Sequence, residues 1–387
     1  MKHLTAEETR SLVALRRRLH REPELSGKEY GTPLILSEFL RDSRPDEVHP
    51  SLGGTGLALV YNGTEPGPTL MLRADIDALP IVEENDFAHR SIHEAISHKC
   101  GHDGHTAMVA GAGLKMKQYK PAKGRLVLLF QPAEETGKGA EQVIADERYA
   151  SLKPDYIFGI HNLPKYTNHT AFTRASHFAS ASCGITIDYK GKTAHAGTPH
   201  TGKSPALAVS ELIVALNALP KGFSLEIRPL CTVVHARLGE KAFGVAPGNS
   251  TVSATIRSIT SEGMENLVQA AERIGRSIGE KYGLRVRVSL SEKFPATTNN
   301  EEATTILEDA VAAAGFSSQR LEEAFPWSED FGHYLKDSKG SFFGLGAGND
   351  VPDLHAENYD FPDELIPTGV RIYLSLIEKV LGGLNHH

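Results

Sequence analysis

The residues best suited to chemistry lie in one octet, His98-Lys99-Cys100-Gly101-His102-Asp103-Gly104-His105. Three histidines, one cysteine and one aspartate place imidazole, thiolate and carboxylate groups within eight positions. Transition-metal ions are held in proteins by these three ligand types. The octet therefore favours a metal site, and the alternatives are a Cys–His nucleophilic pair and a structural loop.

Three short apolar runs, residues 68–72, 125–130 and 156–160, predict buried parallel strands. A helix is predicted over residues 106–117, between the first two runs. Polar residues that can bind metal follow each run: Asp75 and Asp77 after the first, Glu134 and Glu135 after the second, and His161 after the third. Ligands of open α/β sheets bind beyond the carboxyl ends of the strands, so these groups are expected to meet there.

A different pattern begins after the small-residue stretch 175–181. Strands are predicted over residues 184–189, 231–238, 251–258 and 284–290, and helices over 204–219 and 261–282. This β-α-β-β-α-β order is ferredoxin-like. The sequence thus predicts an α/β fold of two domains. A catalytic domain, residues 1–178 and 291–387, carries an inserted satellite or lid domain, residues 179–290, which also offers a dimerisation surface.

Composition excludes several classes of function. The 387 residues are 40% hydrophobic and 23% charged, with a net charge of −7 and no basic run longer than Arg16-Arg17-Arg18. Nucleic acid is therefore not expected as a partner. No apolar run reaches the length of a membrane span, so no membrane association is expected. Three cysteines argue against a disulfide framework, and a cytoplasmic location is expected.

Seven motifs occur in order along the chain: His20-Arg21-Glu22-Pro23-Glu24-Leu25, Arg73-Ala74-Asp75-Ile76-Asp77-Ala78-Leu79-Pro80, Cys100-Gly101-His102-Asp103-Gly104-His105, Gln131-Pro132-Ala133-Glu134-Glu135, Gly159-Ile160-His161-Asn162, Ser328-Glu329-Asp330-Phe331 and Leu354-His355. Through them the chain resembles the aminoacylase and carboxypeptidase G class of dinuclear metallohydrolases. Within that class it is most similar to the hippurate hydrolases and the auxin-conjugate (indole-acetyl-amino acid) amidohydrolases. The resemblance implies a metallopeptidase-like catalytic domain.

The resemblance also implies a metal centre with two divalent ions per subunit, which the donor types allow to be Mn, Zn, Co or Ni. The implied ligands are Cys100, His102, Glu135, His161 and His355, with Cys100 bridging the two ions. Glu134 takes the role of general base, and metal-bound hydroxide cleaves the amide bond of an N-acyl amino acid or related conjugate. The alternatives are a metallo-dipeptidase or carboxypeptidase with the same centre, a Cys-nucleophile hydrolase and a non-catalytic metal-binding protein.

Further roles follow from the same resemblance. His195 is expected to stabilise the oxyanion, in some members of the class from a partner subunit, and the protein is expected to be a homodimer or higher homo-oligomer. Asn249 and Arg257 resemble positions that bind the carboxylate of the substrate. Asp77 and Asp103 are interpreted as carboxylates that orient imidazoles, and a loop cap is the alternative for each. Lys99 departs from the pattern, because relatives usually have a small residue there.

Overall fold

A computed structural model describes residues 3–386. The nine α-helices of this part of the chain are α1 (Ala6–Arg21), α2 (Gly31–Phe39), α3 (His102–Lys115), α4 (Gly139–Ala145), α5 (Tyr149–Leu152), α6 (Ala206–Ala218), α7 (Ser261–Lys281), α8 (Glu301–Ala313) and α9 (Leu365–Leu381). None of these helices, within the described residues, is long and apolar enough to cross a membrane.

The same residues form eighteen strands: β1 (Glu47–Leu52), β2 (Gly56–Asn62), β3 (Glu65–Asp75), β4 (Tyr119–Pro121), β5 (Lys123–Gln131), β6 (Tyr156–Leu163), β7 (Ala171–Thr173), β8 (Ser176–Ala179), β9 (Ala181–Lys190), β10 (Ala194–His195), β11 (Leu230–Leu238), β12 (Val245–Ala246), β13 (Asn249–Ser258), β14 (Arg285–Phe294), β15 (Thr297–Asn299), β16 (Ser318–Arg320), β17 (Lys339–Gly346) and β18 (Leu384–His386).

Contacts divide the chain into two compact units. The first contains the residues up to Phe178, Thr297–Glu323 and the residues from Asp330 onwards. The second contains Ala179–Ala296 and Ala324–Glu329. Residues 291–296 and the segment Ala324–Glu329 belong to the second unit, although the division predicted from the sequence assigned both to the first domain. The roles expected for the two domains, catalysis and a lid, stay predictions.

An eight-stranded sheet forms the centre of the first unit, in the order β1-β2-β5-β3-β6-β17-β7-β16. The strands β5, β3, β6 and β17 are parallel to one another, which confirms the three predicted parallel strands. The antiparallel strands β1 and β2 were missed. The edge strand β1 alternates weakly and contains Pro50. The carboxyl ends of the four parallel strands therefore lie at the same edge of the sheet.

Helices cover one face of this sheet with a continuous apolar core. The strand β3 contributes Leu70 and Leu72, which belong to the same buried cluster as Met108 of α3 and Ile372 of α9. Alternate residues of a strand point to opposite faces, so the intervening Met71 belongs to the other face. The first helix, α1, starts with a capping box: Thr5 accepts from the backbone of Glu8, and Glu8 accepts from the backbone of Thr5.

The second unit is built on a four-stranded antiparallel sheet, in the order β11-β13-β9-β14. Its helices α6 and α7 contact the sheet and complete the β-α-β-β-α-β order predicted from the sequence. The buried cluster includes Ile185, Ile187 and Val252 from the strands and Leu212 and Leu267 from the helices. Strand β13 alternates strictly between buried and partly exposed residues after its first position, as a sheet with one covered face requires.

Candidate metal centre

The candidate ligands of the first unit meet at the carboxyl ends of its parallel strands. Strand β5 is followed by Glu134 and Glu135, and β6 carries His161 near its end. His102 begins α3, four residues earlier than the predicted start of that helix, and His355 lies in the connection between β17 and α9. The structure thus brings together, in one unit, segments that are far apart in the sequence.

Donor atoms form overlapping groups that share the thiol of Cys100. One group is Cys100, His102 and His161, and another is Cys100, Glu135 and His355; within each group the donor atoms lie within 4.8 Å of one another. The Sγ of Cys100 lies 3.4 Å from Nε2 of His161, and Nε2 of His355 lies 3.8 Å from Oε1 of Glu135. Ligand bonds of about 2.0–2.3 Å give donor separations of this size, so each group can surround one ion.

Hydrogen bonds at the remote ring nitrogens orient two of the imidazoles. Nδ1 of His102 lies 2.9 Å from the backbone oxygen of Asp77, and Nδ1 of His161 lies 2.9 Å from that of Asn162. A carbonyl oxygen only accepts, so Nδ1 donates in both rings, and in the neutral form of each ring Nε2 carries the lone pair. Each Nε2 is therefore prepared to bind a metal ion.

Two buried atoms at the centre of the cluster have no hydrogen-bond partner among the described residues. They are Nε2 of His102 and Oε1 of Glu135, which lie 3.7 Å apart. Buried polar atoms nearly always have partners, because leaving them unpaired costs about 1–3 kcal/mol each. A cation between the two atoms satisfies both, so the residues present fit a bound metal ion.

The pKa values of two candidate ligands also favour a bound cation. Burial raises the pKa of the Cys100 thiol well above its ordinary value. Burial likewise raises the pKa of Glu135 to about 7. Both groups bind metal in their ionised forms, and a metal ion lowers the pKa of the groups that bind it. Added positive charge is therefore what keeps this thiolate and this carboxylate ionised at neutral pH.

Glu134 lies beside the donor groups and is held from the backbone. One of its carboxylate oxygens lies within 4.8 Å of the donor atoms of His102 and Glu135. The backbone N–H of Asp330 donates to Oε1 of Glu134 at 3.3 Å. This carboxylate is thus placed to exchange a proton with a molecule bound at the centre.

Asp330 is itself fixed by a buried network that was not predicted from the sequence. The guanidinium of Arg73 donates to Asp330 and to Asp75, at 2.8 and 2.7 Å, and its Nε donates to Gln131 at 2.9 Å. These four side chains are buried. The network therefore connects the ends of β3 and β5 to the segment that holds Glu134.

Asp77 and His105 form hydrogen bonds around the candidate metal centre. Asp77 lies against Nδ1 of His102 and accepts the backbone N–H of Glu135 at 3.0 Å. His105 is bonded to Asp75 at 2.8 Å and to Asn162 at 2.6 Å, so it is a supporting residue of α3. The position of Asp77 agrees with an orienting role for that carboxylate.

Two backbone conformations at the centre are restrictive. Gly101 has φ +96°, and a Cβ there would lie 2.4 Å from Oδ1 of Asn162 and 2.9 Å from the hydroxyl of Tyr359. Only glycine fits this position, which places Cys100 and His102 on either side of the turn. His355 has φ +65° although it carries a side chain, and its backbone N–H donates to the carbonyl of Lys99 at 2.7 Å.

A second buried polar cluster lies between α1, the octet and the segment after His355. His20 lies between two carboxylates, with Nδ1 2.9 Å from Asp103 and Nε2 2.9 Å from Glu83. Lys99 also donates to Glu83, at 2.6 Å. Although burial lowers it, the bonds to Asp103 and Glu83 raise the pKa of His20 to about 9. Asp103 therefore reaches His20, and not the proposed ligands.

The remaining predicted site residues belong to the second unit. His195 is exposed on β10, where its Nδ1 accepts the backbone N–H of Gly197 at 3.0 Å. Asn249 and Arg257 are the first and ninth residues of β13, so about 26 Å separates them at about 3.3 Å per residue. The structure does not bring them together, and within one chain a small carboxylate contacts at most one of them. Arg257 donates to Ser328 at 2.9 Å.

Comparison with known protein sequences shows which family this chain is similar to. Residues 71–379 match the profile of peptidase family M20/M25/M40. The N-acetyl-L-cysteine deacetylase of Bacillus subtilis (strain 168) is 33% identical over 343 residues, which are 88% of this chain and 81% of the relative. The hippurate hydrolase of Campylobacter jejuni is 30% identical over 373 residues, which are 95% of this chain and 96% of the relative.

A solved structure shares the fold over almost the whole length. The YXEP protein of Bacillus subtilis, described as a dinuclear metal binding peptidase from the M20 family, superposes with a TM-score of 0.81 at 25% sequence identity. The match covers 98% of this chain and 99% of the other. This likeness confirms the α/β fold class predicted from the sequence.

Proposed function

The chain belongs to peptidase family M20/M25/M40, and from this premise we propose that it is a metal-dependent amidohydrolase that removes the acyl group from N-acyl amino acids. Membership confirms the resemblance carried by the seven sequence motifs. The observation that carries the proposal is the pair of donor groups sharing Cys100, with Glu134 beside them. The names of the two relatives, a deacetylase and a hippurate hydrolase, support an N-acyl amino acid as the substrate.

We assign the binding of two divalent ions to Cys100, His102, Glu135, His161 and His355. Ions held by these residues would supply Lewis acidity, which would lower the pKa of the attacking water and polarise the scissile carbonyl. Thiolate, imidazole and carboxylate donors together suit Mn, Zn, Co or Ni. The unpartnered atoms of His102 and Glu135 support this assignment.

Protein residues carry the proton through the reaction. Glu134 takes the proton of the attacking water and transfers it to the amine that leaves, so it serves as base and then as acid. The backbone N–H of Asp330 holds the carboxylate of Glu134 in position during both transfers. Asp77 and the carbonyl of Asn162 keep the imidazoles of His102 and His161 oriented. His195 and Arg257 stay predicted contacts for the oxyanion and the substrate carboxylate.

Hydrolysis assays on metal-defined protein test this function. The protein is stripped with a chelator, reloaded with each candidate metal and assayed with N-acetyl and N-benzoyl amino acids and with matched dipeptides. Activity that is lost on stripping and restored on loading, with preference for the N-acyl substrates, is expected. Full activity without metal contradicts the proposal, and a preference for dipeptides establishes the dipeptidase alternative.

A nucleophilic Cys100 is the competing mechanism for the same residues. Burial raises the pKa of this thiol, which disfavours the thiolate that a nucleophile requires. Mass spectrometry during turnover distinguishes the two mechanisms. A covalent acyl-enzyme and insensitivity to chelators are expected of a nucleophile, and neither is expected of the metal mechanism.

We further propose a homo-oligomer assembled through the second unit. Strand β11 is an edge strand of the four-stranded sheet and exposes Leu230, Val234 and Leu238. Edge strands with exposed apolar residues pair readily with other strands. Light scattering on the wild type is expected to show a dimer or larger assembly, and a charge at the edge, Val234→Lys, is expected to reduce it to monomers.

A cytoplasmic location is also part of the proposal. The three cysteines are buried and form no disulfide. Free buried thiols are common in reducing compartments. Fractionation of cells expressing the full-length protein tests the location directly.

A further inference from the structure

Lys99 is completely buried one residue before Cys100. Its ammonium donates to Oε1 of Glu83 at 2.6 Å and to the backbone oxygen of Tyr359 at 2.8 Å. A lysine is rarely buried unless its charge is paired and hydrogen-bonded. The two acceptors therefore fix the side chain of Lys99, which extends from the octet to the backbone of Tyr359.

The backbone of Lys99 contacts the same distant segment. Its carbonyl accepts the N–H of His355 at 2.7 Å. Residues 355–359 are thus held by Lys99 at both ends, through the carbonyl at His355 and through the ammonium at Tyr359. Lys99, which directly precedes the proposed ligand Cys100, therefore also supports the segment that carries the proposed ligand His355.

Of the proposed ligands, His355 depends most on such support. Its side chain is 51% exposed, whereas those of His102 and Glu135 are 0% and 14% exposed. Its left-handed backbone is unfavourable for a residue with a side chain and persists only where surrounding contacts impose it. Contacts from other segments must therefore keep this imidazole directed at the centre.

Glu83 extends the support to the other side of the centre. The carboxylate that accepts from Lys99 also accepts from His20, and His20 donates to Asp103. Asp103 directly follows His102. This series of four side chains links the segment that carries His355 to the first turn of α3 through buried charged groups.

We propose that Lys99 is a positioning residue that holds His355 at the metal centre and thereby completes the donor group of Cys100, Glu135 and His355. The inference rests on the proposed function, because it requires two ions. Without the ammonium, the hydrogen bonds that orient His102 and His161 remain, because neither of them involves Lys99 or Glu83. Loss of Lys99 is thus expected to weaken one ion selectively.

Cobalt titration of the metal-stripped full-length protein tests this inference. The variant is Lys99→Met, which keeps most of the stem and removes the ammonium. The matched control is Lys115→Met, because Lys115 is also buried and also pairs with a glutamate, at 2.7 and 2.8 Å from the oxygens of Glu8. Absorption and calorimetry report the stoichiometry and affinity of each Co²⁺.

The wild type and Lys115→Met are expected to bind two Co²⁺ ions. Lys99→Met is expected to bind the first with unchanged affinity and the second at least tenfold more weakly. In the metal-free proteins, amide hydrogen exchange over residues 353–361 is expected to accelerate in Lys99→Met and not in Lys115→Met. A milder variant, Asn85→Ala, removes another donor to the same Tyr359 carbonyl and is expected to give a smaller effect in the same direction.

Equal affinity for the second ion in the wild type, Lys99→Met and Asn85→Ala overturns the inference, whatever the exchange rates are. If Lys99→Met does not fold, Asn85→Ala decides alone. A wild type that binds no metal contradicts the proposed function itself. A wild type with two ions and a Lys99→Met protein with two unchanged sites contradicts only the role of Lys99.

Discussion

The backbone N–H of Asp330 donates to Oε1 of Glu134 across 196 residues of sequence. This backbone N–H orients the carboxylate without adding a charge of its own. The first prediction concerns this group. Glu134→Gln keeps the shape and loses the base, and kcat is expected to fall by about 10²–10⁴-fold.

The metal content of Glu134→Gln, measured by mass spectrometry of the elements, is expected to equal that of the wild type. Glu141→Gln is the control, because Glu141 is exposed on α4 in the same part of the chain. A Glu134→Gln enzyme that retains wild-type kcat would remove Glu134 from the reaction.

Asp77 contacts both a proposed ligand and the backbone of another. Its carboxylate lies 3.2 Å from Nδ1 of His102 and accepts the N–H of Glu135 at 3.0 Å. Asp77→Asn is expected to weaken metal affinity about 10–100-fold, because groups behind the ligands set their orientation. Competition with a chromogenic chelator measures the change. Asp309→Asn, at an exposed position of α8, is expected to leave the affinity unchanged.

His20 predicts how stability depends on pH. Its pKa is raised to about 9 in the folded chain, because the bonds to Asp103 and Glu83 outweigh burial, against about 6.5 when unfolded. Its contribution is complete below pH 6.5, declines as the unfolded chain loses the proton, and is gone above pH 9. The expected loss across this window is about 3 kcal/mol.

Urea unfolding at several pH values measures this slope. In His20→Gln the decline between pH 6.5 and pH 9 is expected to disappear, since glutamine does not titrate. His93→Gln changes an exposed histidine and is expected to keep the decline. An unchanged slope in His20→Gln would show that another group causes it.

Gly101 is expected to tolerate no side chain. Gly101→Ala places a Cβ 2.4 Å from Oδ1 of Asn162 in a left-handed conformation, and we expect the free energy of unfolding to fall by more than about 2 kcal/mol. Gly244→Ala is the control, because a Cβ there meets nothing within 4 Å. Circular dichroism during urea unfolding compares the two. Equal stability of the two variants would mean that the turn adjusts freely.

Local patterns in the sequence predicted much of this molecule. The apolar runs predicted the parallel strands, and the polar residues after them placed Glu134, Glu135 and His161 at one edge of the sheet, because both patterns are set by neighbours in the chain. The full set of candidate ligands came from the family resemblance. Hydrogen bonds between residues far apart in the sequence are not marked by any local pattern. Arg73 and Asp330 are 257 residues apart, and Lys99 and the Tyr359 carbonyl are 260 apart, so neither pair could be matched in advance.

The assignment of Asn249 and Arg257 to one substrate carboxylate rested on the family resemblance and not on a local pattern. Both residues were assigned to the substrate carboxylate by resemblance, and both do lie on β13. The strand predicted from the sequence began at residue 251 and left Asn249 outside it, whereas β13 begins at Asn249. Eight residue steps of extended chain therefore separate the two residues, and one chain does not bring both side chains to a single small group.

The place of β17 in the sheet has a consequence for biosynthesis. This late strand lies between β6 and β7, which are made much earlier. A chain emerging from the ribosome therefore exposes the unpaired edges of β6 and β7 until residues 339–346 appear, and chaperone binding is expected to concentrate in that interval. The last proposed ligand, His355, is synthesised later still. Metal binding by the donor group that includes His355 is thus expected only after residue 355 has been synthesised.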